Sequence, residues 1–217
     1  MLAPSNPAQD LVDEEFPDVY RPLVAPALRR AYASADRAYE LLDFLGNPSG
    51  PYQRGDLVML AVEHQFKKLI EEKHLPFEST WPDYPVPTGK HLVMRSSRAL
   101  ITINQVEYPN RKPRWAKFRH EFATPNGEYL FPYMNAEYQE NSSKKHILLL
   151  HGHGQLRFSN LAIPNPTENY LIWQSEDLLK LAPAENSDGT GSGGEGPTES
   201  PDAELVEEII KTVRDRG

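Results

Sequence analysis

The stretch HILLLHGHGQ, residues 146–155, decides the fold that the sequence predicts. Its four consecutive aliphatic residues, 147–150, are too few for a helix, and a short apolar run of this kind is typical of a strand that is buried on both faces. Gly152 and Gly154 favour a turn directly after the run. We therefore predict that residues 147–150 form the central strand of a sheet and that the His-Gly-His-Gly end lies at its rim.

Further strands are predicted by short β-branched or aromatic segments that turn residues separate. The candidate strands are residues 91–95, 99–106, 115–122, 128–134, 146–151 and 169–173. Because no long helical pattern lies between these segments, we expect the strands to pair mostly antiparallel.

The amino-terminal half has a helical pattern instead. Apolar residues recur at three- and four-residue spacing from about residue 24 to 45 and from 56 to 74, and a turn rich in glycine and proline separates the two segments. We predict two helices that pack as an antiparallel pair. Residues 75–89 contain several prolines, so we expect no regular structure there. A final short helix is predicted at 176–181.

These patterns divide the chain into four parts. Residues 1–22 are predicted to be an irregular acidic leader, and residues 23–182 a single α+β domain in which the helical pair packs on a mostly antiparallel sheet. Residues 183–200 are rich in Gly, Ser and Glu and predict a flexible, disordered linker. Residues 201–217 predict a C-terminal amphipathic helix.

The apolar stripe of that terminal helix consists of Leu205, Val206, Ile209, Ile210 and Val213. A helix of this length is marginally stable alone in water, so the stripe needs a surface to pack against. That surface is either the domain itself or a partner protein, and the sequence leaves both arrangements open.

Composition excludes several classes of protein. The chain of 217 residues has no cysteine, so disulfide scaffolds and thiolate zinc sites are excluded. No run reaches the roughly 18 apolar residues that span a bilayer, and the first residues lack the basic start and apolar core of a signal peptide. We therefore expect a soluble, cytoplasmic protein that has no membrane partner.

The net charge of −8 conceals a basic region in the middle of the chain. Residues 90–119 contain eight lysines and arginines but only one acidic residue. Alternation along the predicted strand 115–122 places Trp115 on the solvent-facing surface and His120 toward the core. The residues that we expect to contact a partner are Arg111, Lys112, Arg114, Trp115, Lys117 and Arg119.

Three interpretations fit this basic surface. Lysine and arginine neutralise phosphates while an exposed indole stacks on a base, as in proteins that bind single-stranded nucleic acid. An acidic protein would form ion pairs with the same side chains. A charged strand that merely keeps the sheet solvated is the third interpretation. We predict a non-enzymatic binding or regulatory module that contacts nucleic acid or an acidic protein, and whose terminal helix docks on protein.

A metal-dependent hydrolase, nucleolytic or otherwise, is the alternative function. His151 and His153 are two residues apart, a spacing that lets two imidazoles on one strand share a divalent metal such as zinc or manganese. The ion would lower the pKa of a bound water, and Glu121 or Glu137 would act as general base.

Other catalytic patterns do not fit. The strand with its His-Gly end resembles the one before the oxyanion loop of α/β-hydrolases, but no Gly-x-Ser-x-Gly motif follows. His120 and Glu121 match the start of a zincin motif, but Thr124 stands where the second histidine is required. We therefore predict no catalytic residue and no cofactor outside the metal alternative.

Overall fold

A computed structural model describes residues 6–85, 88–130, 144–181 and 202–216. The helices are α1 (Pro7–Glu15), α2 (Val24–Leu41), α3 (Arg54–Glu71), α4 (Lys117–Ala123) and α5 (Ala203–Arg216). The strands are β1 (Glu78–Thr80), β2 (Asp83–Pro85), β3 (Thr88–Lys90), β4 (Val93–Arg95), β5 (Ala99–Val106), β6 (Lys145–Gly152), β7 (Ser159–Pro164) and β8 (Leu171–Gln174). None of the described helices is long and apolar enough to cross a lipid bilayer.

The predicted α+β fold with a central, buried strand is confirmed. Six strands form one mixed sheet in the order β1-β4-β5-β6-β7-β8, and β2 pairs with β3 separately. Only β5 and β6 pair in parallel among the described strands, with Ile101 opposite Ile147. Residues 147–150 are at most 1% exposed. Strand β6 has a neighbour on each side and packing on both faces, as its aliphatic run requires.

Helices cover one face of this sheet. The main core joins side chains from α1, α2, α3 and α5 to Ile103, Leu149, Leu161 and other residues that alternate along the strands. The predicted helical pair is α2 and α3, and both lie in this layer. Because side chains alternate in a strand, the intervening residues point to the second face.

The second face carries a mixture of apolar and polar groups. Leu148, Leu150 and Ala162 form a small apolar cluster there with Val106 and Phe158. The buried polar side chains of Thr102, Asn104 and His146 lie beside this cluster. Helix α4 covers part of this face, since the Phe122 ring lies edge-on to the His146 ring with 5.6 Å between centroids.

The apolar stripe of the terminal helix packs on its own chain. Leu205, Val206 and Ile209 are buried, and Ile210 and Val213 pack partly buried against the same core. Polar contacts hold the start and the middle of α5: the Asp202 backbone N–H donates to Ser34 Oγ at 2.9 Å, and His64 Nδ1 lies 2.6 Å from Glu208 Oε2. Of the two arrangements that the sequence left open, the structure has the intramolecular one.

Two predictions of irregular structure are corrected. Within the leader, Pro7–Glu15 is a helix because the Asn6 side chain accepts a hydrogen bond from the Ala8 N–H as an amino-terminal cap, and Pro7 occupies the first turn. Leu11 and Val12 are buried in the main core. The described residues 75–85 and 88–89 contain the short strands β1 and β2 and the start of β3. Pro76 and Pro82 lie outside these strands and Pro85 is the last residue of β2, so these prolines leave room for short pairings.

The strand predictions have a mixed outcome. Strand β5 matches the predicted residues 99–106, but the predicted strand 115–122 is wrong because it is an extended stretch followed by α4. Phe118 and Phe122 contact each other at the four-residue spacing of a helix, and this contact competes with the two-residue alternation that predicted a strand. Residues 124–130 are a 3-10 helix, and the rest of the candidate 128–134 lies outside the described residues, as does the predicted linker 183–200.

Candidate functional site

The basic segment, which we define as residues 111–119, crosses the second face of the sheet between two cavities. The first cavity, of about 640 Å³, lies between this segment, the end of β5 and the start of α3. The second, of about 490 Å³, lies between the segment and the loop that joins β7 to β8. The cationic side chains that line both are Arg111, Lys112, Arg114 and Arg119. Trp115 lines the second cavity as well, so the structure brings together five of the six predicted binding residues there.

Lys112 anchors the basic segment to the rest of the domain. Its Nζ donates to the backbone oxygens of Asn165 and Glu168, at 2.5 and 2.8 Å. Burial lowers the pKa of this amine. Asn165 Oδ1 in turn accepts hydrogen bonds from the backbone N–H groups of Thr167 and Glu168, which fixes the loop between β7 and β8. Lys112 therefore positions the segment, and the protein already uses two of its three donors.

Arg111, Arg114 and Lys117 present their charges to solvent. Arg111 lies over the ring of Tyr108, with Cζ 5.3 Å from the centroid, and 3.8 Å from Glu107. Lys117 is 3.8 Å from Glu121, and both side chains are exposed. Ion pairs this long and exposed are weak, so a phosphate can displace them at little cost.

Arg114 and Trp115 stand at the outermost point of the segment. Arg114 is exposed and makes no ion pair within the described part of the chain. Trp115 is 76% exposed, and it borders the second cavity together with the preceding Pro113 and Arg114. The prediction that Trp115 faces solvent is therefore confirmed, while the reason for it is an extended loop and not strand alternation.

A column of rings fixes α4 and Arg119 against the domain. The Phe118 ring stacks on His91 with 5.7 Å between centroids and meets Phe122 edge-on at 5.9 Å. The guanidinium of Arg119 lies over the Phe118 ring, with Cζ 4.8 Å from the centroid. Aromatic contacts of this kind order the side chains that make them. Arg119 is thus held where it borders both cavities.

A buried polar chain that the sequence analysis missed lies beneath the basic segment. Asn104 Nδ2 donates to Thr102 Oγ1 at 2.9 Å, and Thr102 Oγ1 lies 2.8 Å from His146 Nε2. The Thr102 hydroxyl therefore joins the Asn104 amide to the His146 imidazole in one hydrogen-bonded chain. The polar residues 102 and 104 alternate with apolar residues along the sequence. This alternation could have predicted that the second face of the sheet is polar.

Asn126 holds the same histidine by its backbone. Its side-chain oxygen accepts from the His146 N–H at 2.9 Å, and its nitrogen donates to the His146 oxygen at the same distance. His146 Nδ1 is buried and has no hydrogen-bond partner within the described residues. A buried polar atom without a hydrogen-bond partner raises the free energy of the folded state by about 1–3 kcal/mol.

His151, the first predicted metal ligand, is tied to α2. The Tyr32 hydroxyl donates to the Gly152 oxygen and lies 2.8 Å from His151 Nδ1, so the histidine carries its hydrogen on Nδ1. His153 is exposed, and its backbone N–H donates to the Val106 oxygen. Among the residues that the structure describes, no group of three His, Asp or Glu side chains has the arrangement of a metal site. The described residues thus supply no third ligand for zinc or manganese.

The structure describes two further residues named in the catalytic alternatives, His120 and Glu121. His120 is exposed, and its Nδ1 lies 3.0 Å from the Pro166 oxygen, so the prediction that it faces the core is wrong. The cause is α4, which turns this side chain toward the loop between β7 and β8. Glu121 is exposed beside Lys117. Glu137 lies outside the described residues.

Acid is expected to destabilise the protein through His146 and His151. Burial is the largest of the causes that lower the pKa of each from 6.5 to about 3, and for His146 the charges of Arg119 and Lys112 add to it. The unfolded chain therefore binds more protons than the folded chain between these values. The free energy of unfolding should fall as pH falls from 6.5, by up to about 1.4 kcal/mol per pH unit for each histidine.

Urea unfolding at pH 7, 6 and 5 measures this dependence before most carboxylates titrate. A His151→Gln variant should lose about half of the slope, and a variant of the exposed histidine, His74→Gln, should keep it. A free energy of unfolding that does not change between pH 6 and 5 would contradict burial of the neutral histidines.

No family model, curated protein or solved structure matches this chain.

Proposed function

We propose that this protein is a non-enzymatic module that binds single-stranded nucleic acid along the basic segment. The observation that carries the proposal is the exposed Trp115 indole between Arg114 and Lys117, at the rim of a cavity lined by Arg111 and Arg119. Cationic side chains that track a phosphate backbone and an aromatic ring that stacks on a base are the two components of such sites.

The exposure of Trp115 favours a ligand with flat, aromatic parts. At 76% exposure the indole has most of its surface in water, and stacking of a base would remove that surface. A single strand offers unpaired bases that stack without the cost of opening a duplex. The extended backbone before α4 presents the ring outward, so the domain need not rearrange for a base to reach it.

Charge distribution supports an anionic partner at this surface in particular. The whole chain carries a net charge of −8, so long-range attraction to a polyanion is weak away from the basic segment. Within the segment the Lys112 amine bonds to the domain, and the carboxylates beside Arg111 and Lys117 form long, exposed pairs. The binding energy is therefore expected to come from few contacts and to depend on salt.

The Trp115→Ala variant tests the stacking role. We expect its affinity for a fluorescein-labelled 12-nucleotide oligothymidylate to fall about 10-fold in anisotropy titrations, since one stacked base contributes on the order of 1–3 kcal/mol. The Tyr52→Ala variant is the control, because Tyr52 is 84% exposed and borders neither cavity. Equal affinities for the wild type and the Trp115→Ala variant would contradict the stacking role.

Competition distinguishes nucleic acid from an acidic protein as the partner. Polyglutamate of equal charge should displace the labelled oligonucleotide only at concentrations far above those of unlabelled oligothymidylate, because it offers charge without bases. Displacement by polyglutamate and by oligothymidylate at equal concentrations would favour the acidic protein instead.

A further inference from the structure

The lining of the second cavity combines two kinds of residue. Its apolar members are Ala116, Ala123, Leu148, Pro164 and Pro166. Arg114 and Arg119 border the same cavity, as does Trp115. A ligand that fills this space must combine a flat or apolar part with an anionic part. A nucleotide has both.

A buried histidine belongs to the lining of the cavity. His146 borders the cavity, and its Nδ1 is buried with no hydrogen-bond partner within the described residues. Asn126 and the Phe122 ring hold the histidine in place. The unpaired ring nitrogen makes this part of the lining polar, which suits a base with polar groups at its edge better than a purely apolar ligand.

The cavity differs from its neighbour across the basic segment in size and charge. The volume of about 490 Å³ lies within the roughly 300–1,000 Å³ of small-molecule sites. The first cavity is larger, and two carboxylates, those of Asp56 and Glu107, lie on its wall, where they oppose a phosphate. The only acidic residue beside the second cavity is Glu168, counted over the described part of the chain.

We infer that the second cavity receives one unstacked nucleotide of the bound strand, with its base against the apolar residues of the lining and its phosphate at Arg114 and Arg119. The inference rests on the proposed function and adds a specific position for a single nucleotide. Removal of one base from a stack costs a few kcal/mol and least in a single strand, so a single strand is the form of nucleic acid that supplies this nucleotide.

A substitution at Asn169 can block the second cavity without altering a buried residue. Its exposed side chain lies at the cavity wall, in the loop between β7 and β8 that Lys112 holds. An Asn169→Trp variant places an indole in the opening. The Ser49→Trp variant is the matched control, because Ser49 is exposed in the turn between α2 and α3 and borders neither cavity. Thermal unfolding checks that both variants fold.

Two probes test the inference, thymidine 5′-monophosphate by calorimetry and the 12-nucleotide oligothymidylate by anisotropy. We expect the wild type and the Ser49→Trp variant to bind both, and the Asn169→Trp variant to lose at least about 10-fold in affinity for each probe, the contribution of one base. Oligonucleotide binding that Asn169→Trp leaves unchanged would overturn the inference while the proposed function stands. Absence of oligonucleotide binding by the wild type would overturn both.

Discussion

The double variant Arg114→Glu and Lys117→Glu is expected to bind the 12-nucleotide oligothymidylate about 100-fold more weakly than the wild type. Each side chain supplies one charge-assisted contact to a phosphate, worth on the order of 1.5 kcal/mol, and each glutamate adds repulsion. Neither side chain is buried, and the one ion pair that is lost, between Lys117 and Glu121, is long and exposed. The fold should therefore be unchanged.

The control is a second double variant that changes the net charge by the same amount but lies away from the basic segment. Arg37→Glu with Lys67→Glu alters an exposed position on α2 and a partly exposed one on α3, in the helical layer on the other face of the sheet. Anisotropy titrations should give the control an affinity within about threefold of the wild type, since long-range repulsion is screened beyond about 10 Å at 0.1 M salt. Equal losses in both double variants would show that net charge, and not the basic segment, governs binding.

The Ile209→Asp variant is expected to lower the free energy of unfolding by about 3 kcal/mol, because it places a carboxylate where an aliphatic side chain is 2% exposed in the main core. Glu207→Asp is the control: it introduces the same residue on the exposed face of α5 and should cost less than about 0.5 kcal/mol. Urea unfolding measures both values.

This comparison also tests where the terminal helix packs. The structure has α5 against α2 and α3, with Asp202 held by Ser34 Oγ and Gln65 Nε2. If the stripe of α5 served only a partner protein, Ile209→Asp and Glu207→Asp would have equal effects on the stability of the isolated chain. A large difference between them is the outcome that the intramolecular packing requires.

The sequence predicted the elements whose apolar residues follow one clear pattern. The aliphatic run 147–150 is typical of a buried strand, and the apolar stripes of α2, α3 and α5 each matched one helical face. The segment 115–122 was misread because Ala116, Phe118 and Phe122 fit both a two-residue and a four-residue spacing, and tertiary contacts of Phe118 with His91 decide between them.

The candidate site was predictable in composition but not in geometry. Charge counting located the cations of the basic segment, yet nothing local indicates that Lys112 reaches two backbone oxygens in the loop between β7 and β8. The polar chain through Thr102 and His146 joins residues 44 positions apart, and the parallel pairing of β5 with β6 creates it. Long-range contacts of this kind depend on the topology of the sheet, and no local pattern reports them.

The most direct test of the central claim is the salt dependence of oligonucleotide binding by the wild-type protein. Four cations of the basic segment, Arg111, Arg114, Lys117 and Arg119, are proposed to contact phosphates. A plot of log affinity for the 12-nucleotide oligothymidylate against log salt concentration should then be linear with a slope of about −3, from about −0.7 for each phosphate contact. No saturable binding at low salt, or a slope near zero, would contradict the claim.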